Sequence, residues 1–163
     1  MNNRGIDIID IEASGLHFDS YPIEIAVLVN GLPHVWLIKP ESSWTHWCDK
    51  AETLHGISRS KLIKQGVSAS IVVDELTDVL SDTPGVIYSD ADRWDEDWLS
   101  ILFFTSGKQP PVKVLSIFEL MSEDQKCMFI TVKNDLCSNG SYQQHRALDD
   151  VKMINEAFLK STT

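Results

Sequence analysis

The sequence predicts an α/β sandwich, a five-stranded mixed sheet flanked by helices. Three observations lead there. The first forty residues carry three strand-like apolar runs, and the remainder of the chain alternates between helical and strand-like patterns. Asn30-Gly31 stands between the second and third runs, a strong hairpin signal that makes those two strands antiparallel. Later strands sit behind helices, as crossover connections in a partly parallel sheet require.

The first strand is "GIDIIDI", where Ile6, Ile8, Ile9 and Ile11 are β-branched and Ala-Ser-Gly closes the run. In "PIEIAVLVNG", Ile23, Ile25, Val27 and Val29 alternate with the other face, and "LPHVWLIKP" returns after the turn. "CDKAETLHGIS" reads as a short helix ending at Gly56. "SRSKLIKQG" and "SASIVVDELTDVLSD" are helices opened by Ser at the N-cap. "TPGVIYSDA" is a fourth strand behind a Pro-Gly turn, and "DRWDEDWLSILFFTSG" a helix. "PPVKVLSIFEL" is a fifth strand running into a short helix. "SEDQKCMFITVKNDLC" is helical despite its Ile-Thr-Val. "SNGSYQQ" is a loop before a final amphipathic helix, "HRALDDVKMINEAFLK".

At 163 residues the chain fits one domain, 1–163, with 43% hydrophobic and 23% charged residues. No apolar stretch reaches membrane-spanning length, and "MNNRGIDIID" has no signal-like apolar region, so no membrane partner is expected. The odd count of three cysteines, without a CxxC pair, argues against a disulfide framework and fits a cytoplasmic location. Fourteen Lys and Arg against 24 Asp and Glu give a net charge of −10. A chain so acidic holds a polyanion only through a local patch, bridging cations, or a grip on few nucleotides.

The first strand poses the chemical question. Asp10 and Glu12 project to one face of an otherwise apolar strand, where like charges repel and lose hydration. Solvated acids at an exposed strand end would tolerate this, and so would a metal ion between the carboxylates. Asp95 has Trp98, Leu99 and Leu102 three, four and seven residues on, which sets it beside the packed face of its helix. Asp150 keeps company with Ala147, Ile154 and Ala157. The adjacent Asp149 lies with Arg146, Lys152, Met153 and Glu156, on a mostly polar side.

These acids stand in a family's order. "DIEASGL" resembles the D-x-E motif of the DEDDh class of 3′–5′ exonucleases, the DnaQ-like or RNase T-like family of the RNase H-like superfamily. "YPIEIAVLVNG" is similar to that family's second strand, and "AETLHGISRSKLIKQG" to its His-Gly-Ile segment. "WDEDWL" matches its second-motif Asp with an aromatic and a Leu three and four residues on. "HRALDDV" fits its third motif, a His five residues before an Asp. The resemblance runs from residue 6 to about residue 158. It departs at "SDADRWD", where Ser89-Asp90 stands in place of His-Asn and one extra residue precedes Trp94. Asp92 and Asp97 are therefore rivals to Asp95.

The resemblance implies an RNase H-like fold and a 3′–5′ exonuclease acting on single-stranded DNA or RNA ends. Asp10, Glu12, Asp95 and Asp150 would hold two divalent cations, Mg²⁺ or Mn²⁺, which prefer carboxylate oxygen. His145 would be the general base on the attacking water, and it would precede the last helix. Leu16 and Leu54 fall where family members place apolar residues against terminal bases, or else are core leucines. Arg59, Lys61 and Lys64 form the one local basic cluster, at the substrate or on a solvated face. Trp44 and Trp47 would stack on bases, pack inside, or meet a partner subunit in a homodimer, with packing favoured. The alternative function is a catalytically idle nucleic-acid-binding or polymerase-accessory module of the same fold.

Overall fold

The computed structural model describes residues 5–163. The chain's first four residues, part of the stretch that lacks a signal-like apolar region, lie outside them. The strands are β1 (Ile8–Ala13), β2 (Pro22–Val29), β3 (Leu32–Lys39), β4 (Val67–Ser68), β5 (Val86–Ser89) and β6 (Lys113–Ser116). The helices are α1 (Asp49–His55), α2 (Arg59–Gln65), α3 (Ala69–Leu80), α4 (Asp92–Phe104), α5 (Glu123–Ser138) and α6 (Ala147–Thr162). A 3₁₀ turn, Ile117–Leu120, comes directly after β6.

The sheet runs β4-β3-β2-β1-β5-β6. β1–β2 and β2–β3 pair antiparallel, and the outer pairs are parallel. Asn30 and Gly31 both adopt positive φ in the tight hairpin between β2 and β3. The sheet thus has six strands rather than the expected five. The extra one, β4, is two residues long, and its Ser68 is also the N-cap of α3, so no strand period is visible in the sequence. Gly66 makes the contact possible: a Cβ there would lie 2.6 Å from the Lys39 backbone nitrogen.

Two layers of helices cover the sheet. Ile9, Ile11, Ile25 and Val27 pack on α3 and α4 through Val72, Leu76, Leu99 and Leu102. The other face sets Ile8, Ala26 and Leu28 against Phe129 of α5 and Val151 and Ile154 of α6. Truncating any of these central Ile or Leu side chains to Ala should cost ~2–5 kcal/mol. β2 is buried along its whole length, because it is central and covered on both sides. Ser58 caps α2 by accepting from the Lys61 N–H, whereas Ser68 caps α3 without a side-chain bond. A capping box of Ser122 and Gln125 starts α5 and offsets the weak helix propensity of its Ile-Thr-Val. Among the described residues no helix is long and apolar enough to cross a membrane.

Candidate functional site

Asp10 and Glu12 project from β1 toward the α6 side, as their even positions require. Asp150, in the first turn of α6, meets them there. One oxygen from each of the three carboxylates lies within 4.8 Å of the others. The Oδ2 atom of Asp10 is buried and has no hydrogen-bond partner. Such an atom costs stability unless something positive completes it. Three hard oxygen donors around an orphaned carboxylate oxygen fit a divalent cation of the Mg²⁺ or Mn²⁺ kind.

A second acid fixes where α6 begins. Glu24 on β2 pairs in register with Glu12, and its carboxylate is fully satisfied. Arg146 donates to it from Nε at 3.1 Å and Nη2 at 2.9 Å, and the Ala147 N–H donates at 2.9 Å. Arg146 is the N-cap of α6, so this fork holds the helix start against the sheet and delivers Asp150 one turn later. His145 stands just before the cap, exposed, with a left-handed φ of 58°. It precedes the helix, as expected. Asp149 accepts instead from the Gln143 N–H at 2.8 Å, which ties down the preceding loop.

Asp95 reaches the site from α4. The parallel ladder between β1 and β5 includes Ile8 and Tyr88 but not Ile11. Asp95 Oδ1 accepts the Ile11 N–H at 3.1 Å in place of a strand partner, and Ser89 Oγ donates to Oδ2 at 2.5 Å. Asp95 is buried, while Asp97 is exposed and Asp92 only partly covered. Of the three, Asp95 alone is bonded to β1.

Burial dominates the electrostatics. It drives the Asp10 carboxyl well above its ordinary value, helped by the charges of Asp95 and Asp150. Glu12 is pushed up to about 8, by burial first and then by Asp150 and Glu24. Burial also takes Asp95 to about 8 against the opposing bond from Ser89. Asp150 rises to about 6, with burial as the main cause and the ammonium of Lys133 as a restraint. A bound cation would reverse these penalties.

A cleft of about 470 Å³ opens beside the acids, and Leu16, Leu54, His55, Trp94 and His145 are among its lining residues. Leu16 and Leu54 are 73% and 62% exposed, so neither is a core leucine. Trp94 stacks on Trp98 at 5.9 Å. His55 is buried with Nε2 unpartnered, and burial lowers its pKa. The remaining sequence candidates belong elsewhere. Trp44 stacks on Tyr21 at 5.1 Å and Trp47 donates to Glu52 at 2.6 Å, so both pack. Arg59 is committed to Tyr21 Oη and the Trp44 carbonyl, and Arg59, Lys61 and Lys64 do not line the cleft.

Neither a family model nor a curated protein matches the chain. Solved structures do. E. coli exonuclease I in complex with a dA16 oligonucleotide superposes with a TM-score of 0.75 at 17% identity, over 98% of this chain and 41% of that one. A 3′-exonuclease described in 3′-end recognition of a histone mRNA stem-loop superposes with a TM-score of 0.72 at 21% identity, over 98% of this chain and 81% of that one. The fold is that of these RNase H-like exonucleases. The chain spans about two fifths of the length of the exonuclease I chains it matches.

Sequence reasoning missed three residues that frame the acids. Ser89, noted only as a departure, is a buried donor to Asp95. Glu24 lay in plain view as an acid inside an apolar strand, the same signal that singled out Asp10 and Glu12. Asp90 is paired with Lys133 of α5, a long-range contact without any sequence signal.

Proposed function

We propose that the chain is a single-domain, metal-dependent 3′–5′ exonuclease acting on single-stranded DNA or RNA ends and releasing 5′-monophosphates. One observation carries this reading: Asp10 and Glu12, with an orphaned Asp10 oxygen, line an open, apolar-walled cleft, and buried Asp150 converges on them from behind it. A chain used only for binding would have no need of acids at such a cost in solvation.

Asp10, Glu12 and Asp150 would hold one divalent cation. Asp95, whose oxygens each keep a lone pair beyond the donors they already accept, would join Asp10 at a second. Bound Mg²⁺ or Mn²⁺ supplies Lewis-acid polarisation of a scissile phosphate and neutralises charge on the leaving 3′-oxygen. Exposed Leu16 and Leu54 take the terminal base between them. His145, free in the loop ahead of α6, accepts a proton from the attacking water. The water oxygen then bonds to phosphorus, the P–O3′ bond breaks, and the terminal nucleotide leaves with its 5′-phosphate. Glu24 and Arg146 position this base by fixing the residue next to it in the chain.

End-labelled DNA and RNA oligomers, with Mn²⁺ or with chelator, test the proposal. Stepwise shortening from a free 3′ hydroxyl that stops in chelator is the expected result. Full-rate degradation in chelator, or a circular single strand cut as fast as a linear one, contradicts it.

A further inference from the structure

Asp90 is one of the residues by which the chain departs from the family's second motif, and no role above has absorbed it. Its carboxylate accepts from the ammonium of Lys133, in the middle of α5. Both groups are largely withdrawn from water, with the Lys133 and Asp90 side chains 29% and 12% exposed. Withdrawing such a pair costs more solvation than an exposed pair recovers, so stability alone is a weak reason for it. The charges of Asp150 and Asp10 also act on Lys133, which puts the ammonium at the margin of the carboxylate cluster.

An ammonium has three donors, and one bond to Asp90 leaves two. They open onto a groove of about 370 Å³ lined by Lys133, Asn134, Gln144 and His145, among others. Among the described residues, His145 alone lines both this groove and the apolar cleft. The two cavities therefore meet at the proposed base, one apolar-walled and one carrying a tethered cation. In a chain of net charge −10, a second anionic group of the substrate needs such a cation near the acids.

We propose that Lys133, held in place by Asp90, binds the phosphate one linkage to the 5′ side of the scissile bond. This rests on the nuclease reading for its substrate. The terminal nucleoside occupies the Leu16–Leu54 cleft, the scissile phosphate lies over Asp10, Glu12 and Asp150, and the strand leaves past His145 into the Lys133 groove. Asp90 acts as a positioning residue, with Lys133 as the group that touches substrate.

The test is equilibrium binding of a 5′-fluorescent oligothymidylate, with Ca²⁺ to stop turnover, followed by kinetics in Mn²⁺. Two probes are compared, one all-phosphodiester and one with a neutral methylphosphonate at the penultimate 3′ linkage. Lys133→Met should weaken the first by roughly tenfold. It should reduce the slope of log K against log salt by about 0.7, one phosphate contact on a single strand. On the methylphosphonate probe the same variant should match wild type within about twofold, and Lys133→Arg should retain most of the affinity for the first. Equal loss on both probes would make Lys133 a scaffold residue and overturn the proposal, as would no loss on either. A loss cancelled only by a methylphosphonate at another linkage would overturn it too. Wild type that shows the expected binding pattern yet leaves oligomers uncut in Mn²⁺ overturns the exonuclease reading and upholds the phosphate contact. Wild type that binds neither probe overturns both.

Discussion

Glu12 and Glu24 are paired in register on neighbouring strands and share one face of the sheet, yet they have opposite surroundings. Glu24 accepts two bonds from Arg146 and one from the Ala147 N–H. Glu12 has Asp10 and Asp150 beside it, and its carboxyl is pushed up to about 8. Burial alone therefore does not mark a functional acid here. What separates the two is whether the protein supplies the compensating charge itself. Glu24 is scaffold because Arg146 completes it, and the Glu12 cluster is the site we propose because its completion would come from outside.

Substitutions on the two sides should behave differently. The largest effect is expected at Asp150→Asn, which should cut turnover by on the order of 10³ and weaken metal binding. Asp149→Asn should stay within a few-fold, because its amide oxygen can still accept from Gln143. His145→Ala should lose turnover yet keep metal binding, since in the proposed mechanism it would serve as base and not as ligand. Oligomer kinetics beside Mn²⁺ titration calorimetry separates the three variants, and a reversed ranking of the aspartates would put the last motif out of register.

Next comes stability. Glu24→Ala strands the Arg146 guanidinium, and the cost should be about 3 kcal/mol, the low end for a broken buried pair because Arg146 keeps 30% exposure. That corresponds to a Tm lowered by roughly 6–12 °C for a chain of this size. Glu12→Gln in the metal-free protein at about pH 8 should be neutral or stabilising, because it removes a carboxylate that burial and its acidic neighbours disfavour. Chemical denaturation in chelator reads both, and equal losses would erase the distinction between the two glutamates.

Stability in the metal-free protein also depends on pH. Glu12 has its folded pKa raised, from an ordinary 4.5 to about 8, so the folded state binds more protons than the unfolded chain across that window. Metal-free stability should accordingly fall as pH rises from 4.5 towards 8. Asp95, also raised to about 8, adds to the same trend. Melting curves in chelator at several pH values should show the decline, and Glu12→Gln should flatten it. A flat wild-type curve would mean that the carboxylates are better solvated than their burial implies. The smallest effect is Ser89→Ala, which removes one donor from Asp95 and should cost about 1–2 kcal/mol.

Periodicity made much of this architecture legible. The alternation in β1 put Asp10 and Glu12 on one face, and the helical wheel of α6 chose Asp150 over Asp149. Both inferences rest on local geometry, which a sequence encodes directly. What stayed hidden depends on pairing between distant segments. β4 exists only because Gly66 lets two residues approach β3, and a strand that short has no period. Asp95 takes the place of a strand partner for Ile11, a role set by where β1 and β5 diverge. Lys133 and Asp90 lie 43 residues apart and meet only after α5 docks. The basic cluster, which the sequence left between the substrate and a solvated face, stays away from the cleft for the same reason: Arg59 is drawn into the Tyr21–Trp44 contact.

The central claim is that the Asp10–Glu12–Asp150 cluster is completed by a divalent cation. Thermal melts at about pH 8, where the folded carboxyls ionise, with and without Mn²⁺, on wild type and Asp150→Asn test it most directly. At Mn²⁺ roughly a hundredfold above its dissociation constant, wild type should gain about 2.7 kcal/mol and a correspondingly higher Tm, and Asp150→Asn should lose most of that gain. An equal rise in both proteins, or no rise in wild type, would contradict the account.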